Sequence, residues 1–240
     1  MRNVAIIIPA YNEEDNILKL ICKIECLLPK SLIYIIDDSE GNKTNNIINK
    51  KKINYYHRKK KSGRGSAVLY GIKKAIVQKR NNIFIEMDAD FSHNPNELIN
   101  NINYFIKNNA DLLVSSRYLK KSRIINWPIS RKVFSFLSNY LARIFLKIPI
   151  SDYTNGFRIY SKRAAIKIIK DCGKIGDGFI ILSEILLVLH LSKYRIFETS
   201  TRFVNRVRGE SSLNLKLIFS SLIGLFKLFF NKKKYKKIVN

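Results

Sequence analysis

Short apolar runs alternate with longer amphipathic stretches through the first half of the chain. Val4–Ile8 is continuously apolar, stops at Pro9, and is followed by polar Asn12-Glu13-Glu14. That pattern predicts a buried strand, then a helix with acids in its first turn. Ile17, Leu20, Ile21, Ile24, Leu27 and Leu28 keep the spacing of one helical face. Further strands are predicted at Leu32–Ile36, Ile53–His57, Ile83–Met87 and Asp111–Ser115. Helices are predicted at Ser66–Val77 and Asn96–Lys107. Alternation of this kind points to an α/β fold, a mostly parallel sheet flanked by helices.

The pattern changes after Arg117. Arg131–Ile148 predicts an amphipathic helix with Val133, Leu137, Tyr140, Leu141 and Ile144 on one stripe. Polar, strand-prone Asp152–Tyr160 follows, then helices at Lys162–Lys170 and Phe179–Leu191 and short strands near Arg195–Glu198 and Arg202–Asn205. An apolar stretch, Leu213–Phe230, precedes Lys232, Lys233, Lys234, Lys236 and Lys237. Its longest charge-free run, Leu217–Phe226, is too short for the roughly 20 apolar residues of a spanning helix. Lys216, Ser220, Gly224, Lys227 and Asn231 recur at helical spacing and leave a broad apolar face. That suits a helix lying in a membrane interface, with the lysines near anionic headgroups. Packing of the same face onto the domain or a partner subunit is the alternative. The expected division is a catalytic domain over 1–212, with an interface helix at about 129–148, and an amphipathic helix with a basic tail over 213–240.

A chain of 240 residues with 46% hydrophobic content is long and apolar enough for one well-buried domain. Its formal net charge of +26 favours anionic partners: phosphorylated ligands, an acidic membrane surface or nucleic acid. Nucleic acid is disfavoured, because the basic residues are dispersed and the aromatics mostly follow apolar periodicity. Cys22, Cys26 and Cys172 make no paired framework and read as buried free thiols in a reducing cytosol. The start of the chain runs directly into a strand, without a charged-then-apolar leader. A cytoplasmic, membrane-peripheral location is therefore expected.

The chemistry gathers at predicted strand ends. Asp88-Ala89-Asp90 follows an apolar strand, and residues i and i+2 of an extended segment point the same way. Two such carboxylates suit one hard divalent cation, Mg2+ or Mn2+, with a diphosphate completing its shell. Two solvated turn acids are the plainer reading of that spacing. Asp37-Asp38 ends another strand, where an acid accepts from a base or ribose or else shapes a turn. Gly63-Arg64-Gly65 opens a helix and allows close backbone approach to phosphate. Arg117, Arg131, Arg158, Arg206 and Arg208 offer phosphate-binding forks, and Arg131 and Ser135 share a helix face.

Several motifs in order give the chain a family resemblance. Val4–Glu14 (VAIIIPAYNEE), Asp37-Asp38, Lys61–Ala67 (KSGRGSA) and Met87–Pro95 (MDADFSHNP) resemble family 2 glycosyltransferases. Ser116-Arg117-Tyr118, Trp127–Ser135 (WPISRKVFS), Ser151–Tyr160 (SDYTNGFRIY), Gly178 with Glu184, and Phe203–Ser211 (FVNRVRGES) narrow the likeness to dolichol-phosphate mannosyltransferase and its polyprenyl-phosphate relatives. The resemblance implies a GT-A nucleotide-sugar-binding fold. It implies that Pro9, Tyr11 and Glu13, with Asp37 or Asp38, hold the nucleoside, and that Gly63, Gly65 and Ala89 line the donor pocket. Asp88, Asp90 and Ser92 would face the metal, and Arg117, Arg131, Ser135 and Arg206 would grip the donor diphosphate and the lipid phosphate.

The implied reaction moves a hexose, with mannose expected and GDP-mannose as donor, to a polyprenyl or dolichyl phosphate with inversion. The partners would be the membrane surface and a membrane-anchoring subunit, and not nucleic acid. An ionised phosphate attacks the sugar C1 without a general base. A glycan or glycolipid hydroxyl as acceptor is the alternative, and it needs a base, for which Asp152 and Glu184 are available. The chain departs from its relatives in three places. Ser39-Glu40 stands where they have Gly-Ser, Asn205-Arg206 where they often have Asp-Arg, and Ser212 where they have a Lys. Losing that Lys removes one phosphate contact.

Overall fold

The computed structural model describes residues 3–48, 51, 53–58, 62–176, 178–205 and 215–239, with side chains in the last helix from 222 to 237. Strand and helix alternate as the apolar pattern requires. They run β1 (Asn3–Ala10), α1 (Glu14–Leu27), β2 (Leu32–Asp37), α2 (Lys43–Ile48), β3 (Asn54–His57), α3 (Arg64–Val77) and β4 (Asn81–Glu86). A 3-10 turn at Pro95–Glu97 leads into α4 (Leu98–Lys107), β5 (Leu112–Ser116), β6 (Arg123–Ile125) and α5 (Ile129–Leu146). The remainder is β7 (Arg158–Ser161), α6 (Lys162–Asp171), α7 (Ile180–Leu191), β8 (Ile196–Ser200), β9 (Arg202–Val204) and α8 (Leu215–Val239).

The main sheet has the order β3-β2-β1-β4-β7-β5-β8. All pairs are parallel except those of β7, which runs antiparallel to both β4 and β5. Parallel sheets are covered on both faces. In β1 the period of two sends Ala5 and Ile7 into one core and Val4, Ile6 and Ile8 into the other. The first core carries α3, α6 and α7, and the second carries α1 and α4. The parallel strands end together, so the loops after β1, β2 and β4 meet at one edge. The antiparallel β7 brings the 152–157 loop, which was expected to be strand, against the same edge.

Two amphipathic helices behave differently from ordinary surface helices. In α5 the buried positions are Asn139, Ala142 and Leu146. Its apolar stripe instead faces outward: Ile129 is 80% exposed and Phe136 62%, and Val133, Leu137, Tyr140 and Ile144 are also exposed. The tail helix α8 is packed onto the domain along one face, the alternative to a helix lying wholly in a membrane interface. Leu225, Leu228 and Tyr235 belong to the main core. A Cβ at Gly224 would lie 2.6 Å from Ile180 Cγ1, so this glycine sits on the packed face, not the polar one. Each fully buried large apolar side chain contributes about 1.5–3 kcal/mol, so detaching α8 would be expensive. Its other face still exposes Ile223, Phe226, Phe229 and Phe230. Phe145 of α5 packs against Phe226 and Phe229, joining the two helices.

The expectation of three buried thiols fails in part. Cys22 and Cys26 are exposed, and Cys172 is half-buried with its thiol pKa pushed up by burial and by Glu184. Among the described residues no helix is long and apolar enough to cross a membrane.

Candidate functional site

The site lies at the sheet edge where β1, β2 and β4 end. Half-buried Pro9 near the end of β1 and exposed Tyr11 just after it lead to Glu13, which accepts from Asn16 Nδ2 at 2.9 Å. Asn12 has φ of 55° and donates its N–H to Ser39 Oγ at 2.7 Å. Ser39 therefore stitches the β1 loop to the β2 loop, a bond that glycine at this position cannot make. Its N–H and hydroxyl also donate to Asp37 Oδ1, while Tyr55 donates to Asp37 Oδ2 at 2.9 Å. That pairing and burial raise the Tyr55 pKa. Asp38 receives an Arg58 fork at 2.5 and 2.6 Å, and the Ser62 N–H at 3.1 Å. Both acids of the Asp37-Asp38 pair are thus engaged by other groups of the protein.

Arg58 also reaches Ser66 Oγ and the carbonyl of Gly63, holding the start of α3 in place. Gly63 adopts φ of 86°, a conformation other residues resist, and Gly65 is buried. Between them Arg64 turns into the protein. It donates from Nη1 to Glu86 Oε1 at 2.6 Å and from Nε to Asp88 Oδ1 at 2.8 Å. Tyr160 donates to the other Glu86 oxygen at 2.7 Å. Burial works against the Arg64 charge, but Asp88 and Glu86 outweigh it and raise its pKa.

Asp88, buried Ala89 and Asp90 follow β4 directly. His93 Nδ1 accepts the Asp88 N–H at 2.9 Å, so Nε2 carries the ring proton and donates to Asn155 Oδ1 at 3.0 Å. The ring is clamped by Phe157 and Phe203. Asp90 Oδ1 accepts the Ser92 N–H at 3.0 Å, closing a tight turn. Ser92 Oγ is buried and has no hydrogen-bond partner among the described residues. No set of three or more His, Cys, Asp or Glu among the described residues is arranged to hold a metal ion. Two carboxylates with an orphaned hydroxyl beside them still fit Mg2+ or Mn2+, since these cations take few protein oxygens and complete their shell with phosphate and water.

The cationic side of the site is more divided than expected. Arg131 and Ser135 project from the first turns of α5. Arg131 lies 4.2 Å over the Trp127 ring and donates to Asn205 Oδ1 at 2.8 Å, and Ser135 accepts from the Tyr118 hydroxyl at 2.6 Å. Arg117, expected to grip phosphate, is already paired within the protein. It is buried and forks onto Asp152 at 2.8 Å twice, with a third bond to Thr154 Oγ1 at 2.6 Å. Arg158 is fully buried and donates to the carbonyls of Tyr153, Asn155 and Leu182. Arg206 and Arg208 lie outside the described residues, as does Ser212. The two candidate bases are also enclosed. Asp152 is held by Arg117, and Glu184 accepts the N–H groups of Gly173 and Lys174 and the Tyr235 hydroxyl.

Sequence reasoning missed Arg58, Glu86, His93 and Trp127 as members of this network. Only Trp127 and His93 stood inside a quoted motif.

Residues 5–169 match the family model described as Glycosyl transferase family 2. The chain is 34% identical over 233 residues to the dolichol-phosphate mannosyltransferase of Pyrococcus furiosus, covering 94% of this chain and 63% of that protein. It therefore spans less than two thirds of that relative. It is 28% identical to the undecaprenyl-phosphate mannosyltransferase of Micrococcus luteus, covering 92% of each, and 31% identical to the polyprenol monophosphomannose synthase of Mycolicibacterium smegmatis, covering 87% of this chain and 80% of that protein. Among solved structures, glucosyl-3-phosphoglycerate synthase from Mycobacterium tuberculosis with Mn2+, uridine diphosphate and phosphoglyceric acid superposes with a TM-score of 0.69 at 14% identity, covering 95% of this chain and 78% of that one. That likeness establishes the GT-A fold and nothing finer. By sequence, the chain belongs to glycosyltransferase family 2.

Proposed function

We propose that this glycosyltransferase moves a hexose, with mannose expected, from a nucleoside diphosphate sugar to a polyprenyl or dolichyl phosphate, inverting the anomeric carbon. One observation carries the reading. A single helix, α5, presents Arg131 and Ser135 at the site and an exposed apolar stripe along the rest of its length. A lipid phosphate needs that combination: a charged group held at the reaction centre and a chain kept in apolar surroundings. The three relatives described above are a dolichol-phosphate mannosyltransferase, an undecaprenyl-phosphate mannosyltransferase and a polyprenol monophosphomannose synthase, which supports it.

Pro9, Tyr11 and Glu13 line the nucleoside end, backed by Asp37 and Asp38. GDP-mannose is the expected donor. Gly63, Gly65 and Ala89 leave room for the diphosphate. Asp88, Asp90 and the Ser92 hydroxyl would hold Mg2+ or Mn2+, which when bound offsets negative charge gathering on the leaving diphosphate. Arg131 and Arg206 orient phosphate oxygens, and Arg117 supports them by fixing the loop at 152–154. The acceptor oxygen forms the new bond to C1 as the bond from C1 to the diphosphate breaks, and the electron pair leaves with the nucleoside diphosphate. An ionised phosphate surrenders no proton in this step, so no general base is required. The enclosure of Asp152 and Glu184 favours this acceptor over a hydroxyl. The exposed faces of α5 and α8 would rest on an anionic membrane surface or against an anchoring subunit, on its cytoplasmic side.

The test is to incubate the protein and Mg2+ or Mn2+ with a panel of labelled nucleotide sugars and polyprenyl phosphate, and then extract the lipid. Label from GDP-mannose in a phosphate-linked lipid is expected. Transfer only to a hydroxyl acceptor, with none to the lipid phosphate, overturns the reading.

A further inference from the structure

Arg64 is built directly into the acid cluster at the end of β4. Its Nε and Nη2 both meet Asp88 Oδ1, at 2.8 and 2.7 Å, while Nη1 is fixed on buried Glu86 at 2.6 Å. The guanidinium stands 5.7 Å over the Phe179 ring. Gly156 supplies its space: a Cβ there would lie 1.9 Å from Nη2. The side chain is thus confined from three directions and is no surface charge that swings away. A divalent cation approaching Asp88 meets a carboxylate already paired with a fixed positive charge. The two cations repel across a partly buried site, where screening is weak. A nucleoside diphosphate arriving with the cation adds negative charge and relieves that repulsion.

We infer that Arg64 is a built-in counter-ion of Asp88 that weakens binding of a free divalent cation, so that cation and diphosphate load together. The inference rests on the reading of Asp88 as a metal ligand. It assigns Arg64 a positioning role, since the residue acts through Asp88 and not on the sugar.

Binding of Mn2+ is measured by electron paramagnetic resonance on the full chain, with Mn2+ alone, with Mn2+ and GDP, and with Mn2+ and UDP. The wild type is expected to bind Mn2+ weakly alone and more tightly with a nucleotide. Arg64→Gln keeps a donor for Glu86 but removes the charge. It should bind Mn2+ alone about tenfold more tightly, the scale expected for deleting one nearby charge, and gain less from nucleotide. Arg64→Lys keeps the charge and should stay near wild type. If Arg64→Gln does not fold, Gly156→Ala displaces the guanidinium by another route and should shift affinity the same way. A merely structural arginine predicts the opposite sign, because loosening Asp88 weakens its grip. Unchanged or weaker binding of Mn2+ alone in the charge-removing variant therefore overturns the inference. Asp88→Asn separates the two layers. If it abolishes Mn2+ binding with nucleotide while the Arg64 variants change nothing, the metal reading stands and the Arg64 role falls. Absence of Mn2+ binding in every variant, with and without nucleotide, overturns both.

Discussion

Tyr235, near the end of α8, donates its phenol hydroxyl to Glu184 in the middle of α7, and both side chains are buried. Glu184 also accepts the N–H groups of Gly173 and Lys174, so one carboxylate ties three segments together. Burial and the Glu184 charge push the Tyr235 pKa up, so the phenol remains a donor. Tyr235→Phe should lower stability by about 1–3 kcal/mol, the range for a hydrogen bond to a charged partner. Urea unfolding and proteolysis of the tail check it. A wild-type midpoint would mean that the apolar contacts of Leu225 and Leu228 alone hold α8.

A second buried tie predicts acid sensitivity. Burial pushes the Asp152 carboxyl up, but the Arg117 guanidinium and its hydrogen bonds outweigh this and hold its pKa below the usual value. A depressed acid contributes stability above its unfolded pKa, about 3.9, and loses it as pH falls through the lower folded value. Asp152→Asn should therefore destabilise by about 3–5 kcal/mol at pH 7, because it strands a buried guanidinium. The gap to wild type should narrow below about pH 4. Melting curves at both pH values decide it, and a gap independent of pH would contradict the ion-pair account.

The acid pair should govern turnover more than folding. Asp88→Asn or Asp90→Asn is expected to lower kcat by about 100-fold or more, the scale for removing electrostatic stabilisation of a developing charge. Excess chelator should do the same to the wild type. Near-wild-type turnover in either variant would remove that carboxylate from the metal site.

Two of the departures from the relatives cancel in charge. Asn205 removes a negative charge and Ser212 removes a positive one. Asn205 Oδ1 accepts from Arg131 as a carboxylate would, but adds no negative charge of its own beside the guanidinium. Asn205→Asp alone should raise KM for the lipid phosphate by about tenfold, a shift of about 1.4 kcal/mol. Asn205→Asp with Ser212→Lys should recover most of it. A double variant no better than the single one would show that the two positions act independently.

Membrane association is best tested without truncating α8, since its inner face is part of the core. Phe136→Asp with Phe230→Asp places charges on exposed positions only. Sedimentation with anionic liposomes at low salt should fall several-fold while the melting temperature holds. Unchanged sedimentation would point to the lysines alone.

The strand–helix alternation was readable because the central strands β1, β2 and β5 are buried on both faces and so carry short apolar runs. The six-residue α2 was not, for Lys43–Ile48 carries almost no periodicity. Asp88 and Asp90 stood out because they follow such a run directly. Their neighbours did not, since Arg64 meets Asp88 across 24 positions and Tyr160 meets Glu86 across 74. A lone arginine is the hardest case. Arg131, Arg117 and Arg158 look alike in a sequence, yet one stacks on Trp127 and bonds Asn205, one holds a carboxylate and one is spent largely on backbone carbonyls. Which of these occurs depends on loop closure, and no local pattern encodes it.

The outward stripe of α5 has a consequence for where the reaction takes place. The helix has 18 residues, so it is about 27 Å long. Arg131 and Ser135 sit at one end of the rod whose apolar flank continues to Ile144. If the proposed lipid-phosphate reaction holds, the rigid rod would act as a depth gauge: how deeply its flank sank would fix how high Arg131 stood above the acyl chains. It would then select acceptors by the height at which their headgroup rides, and reduce the search for a dilute lipid from three dimensions to two.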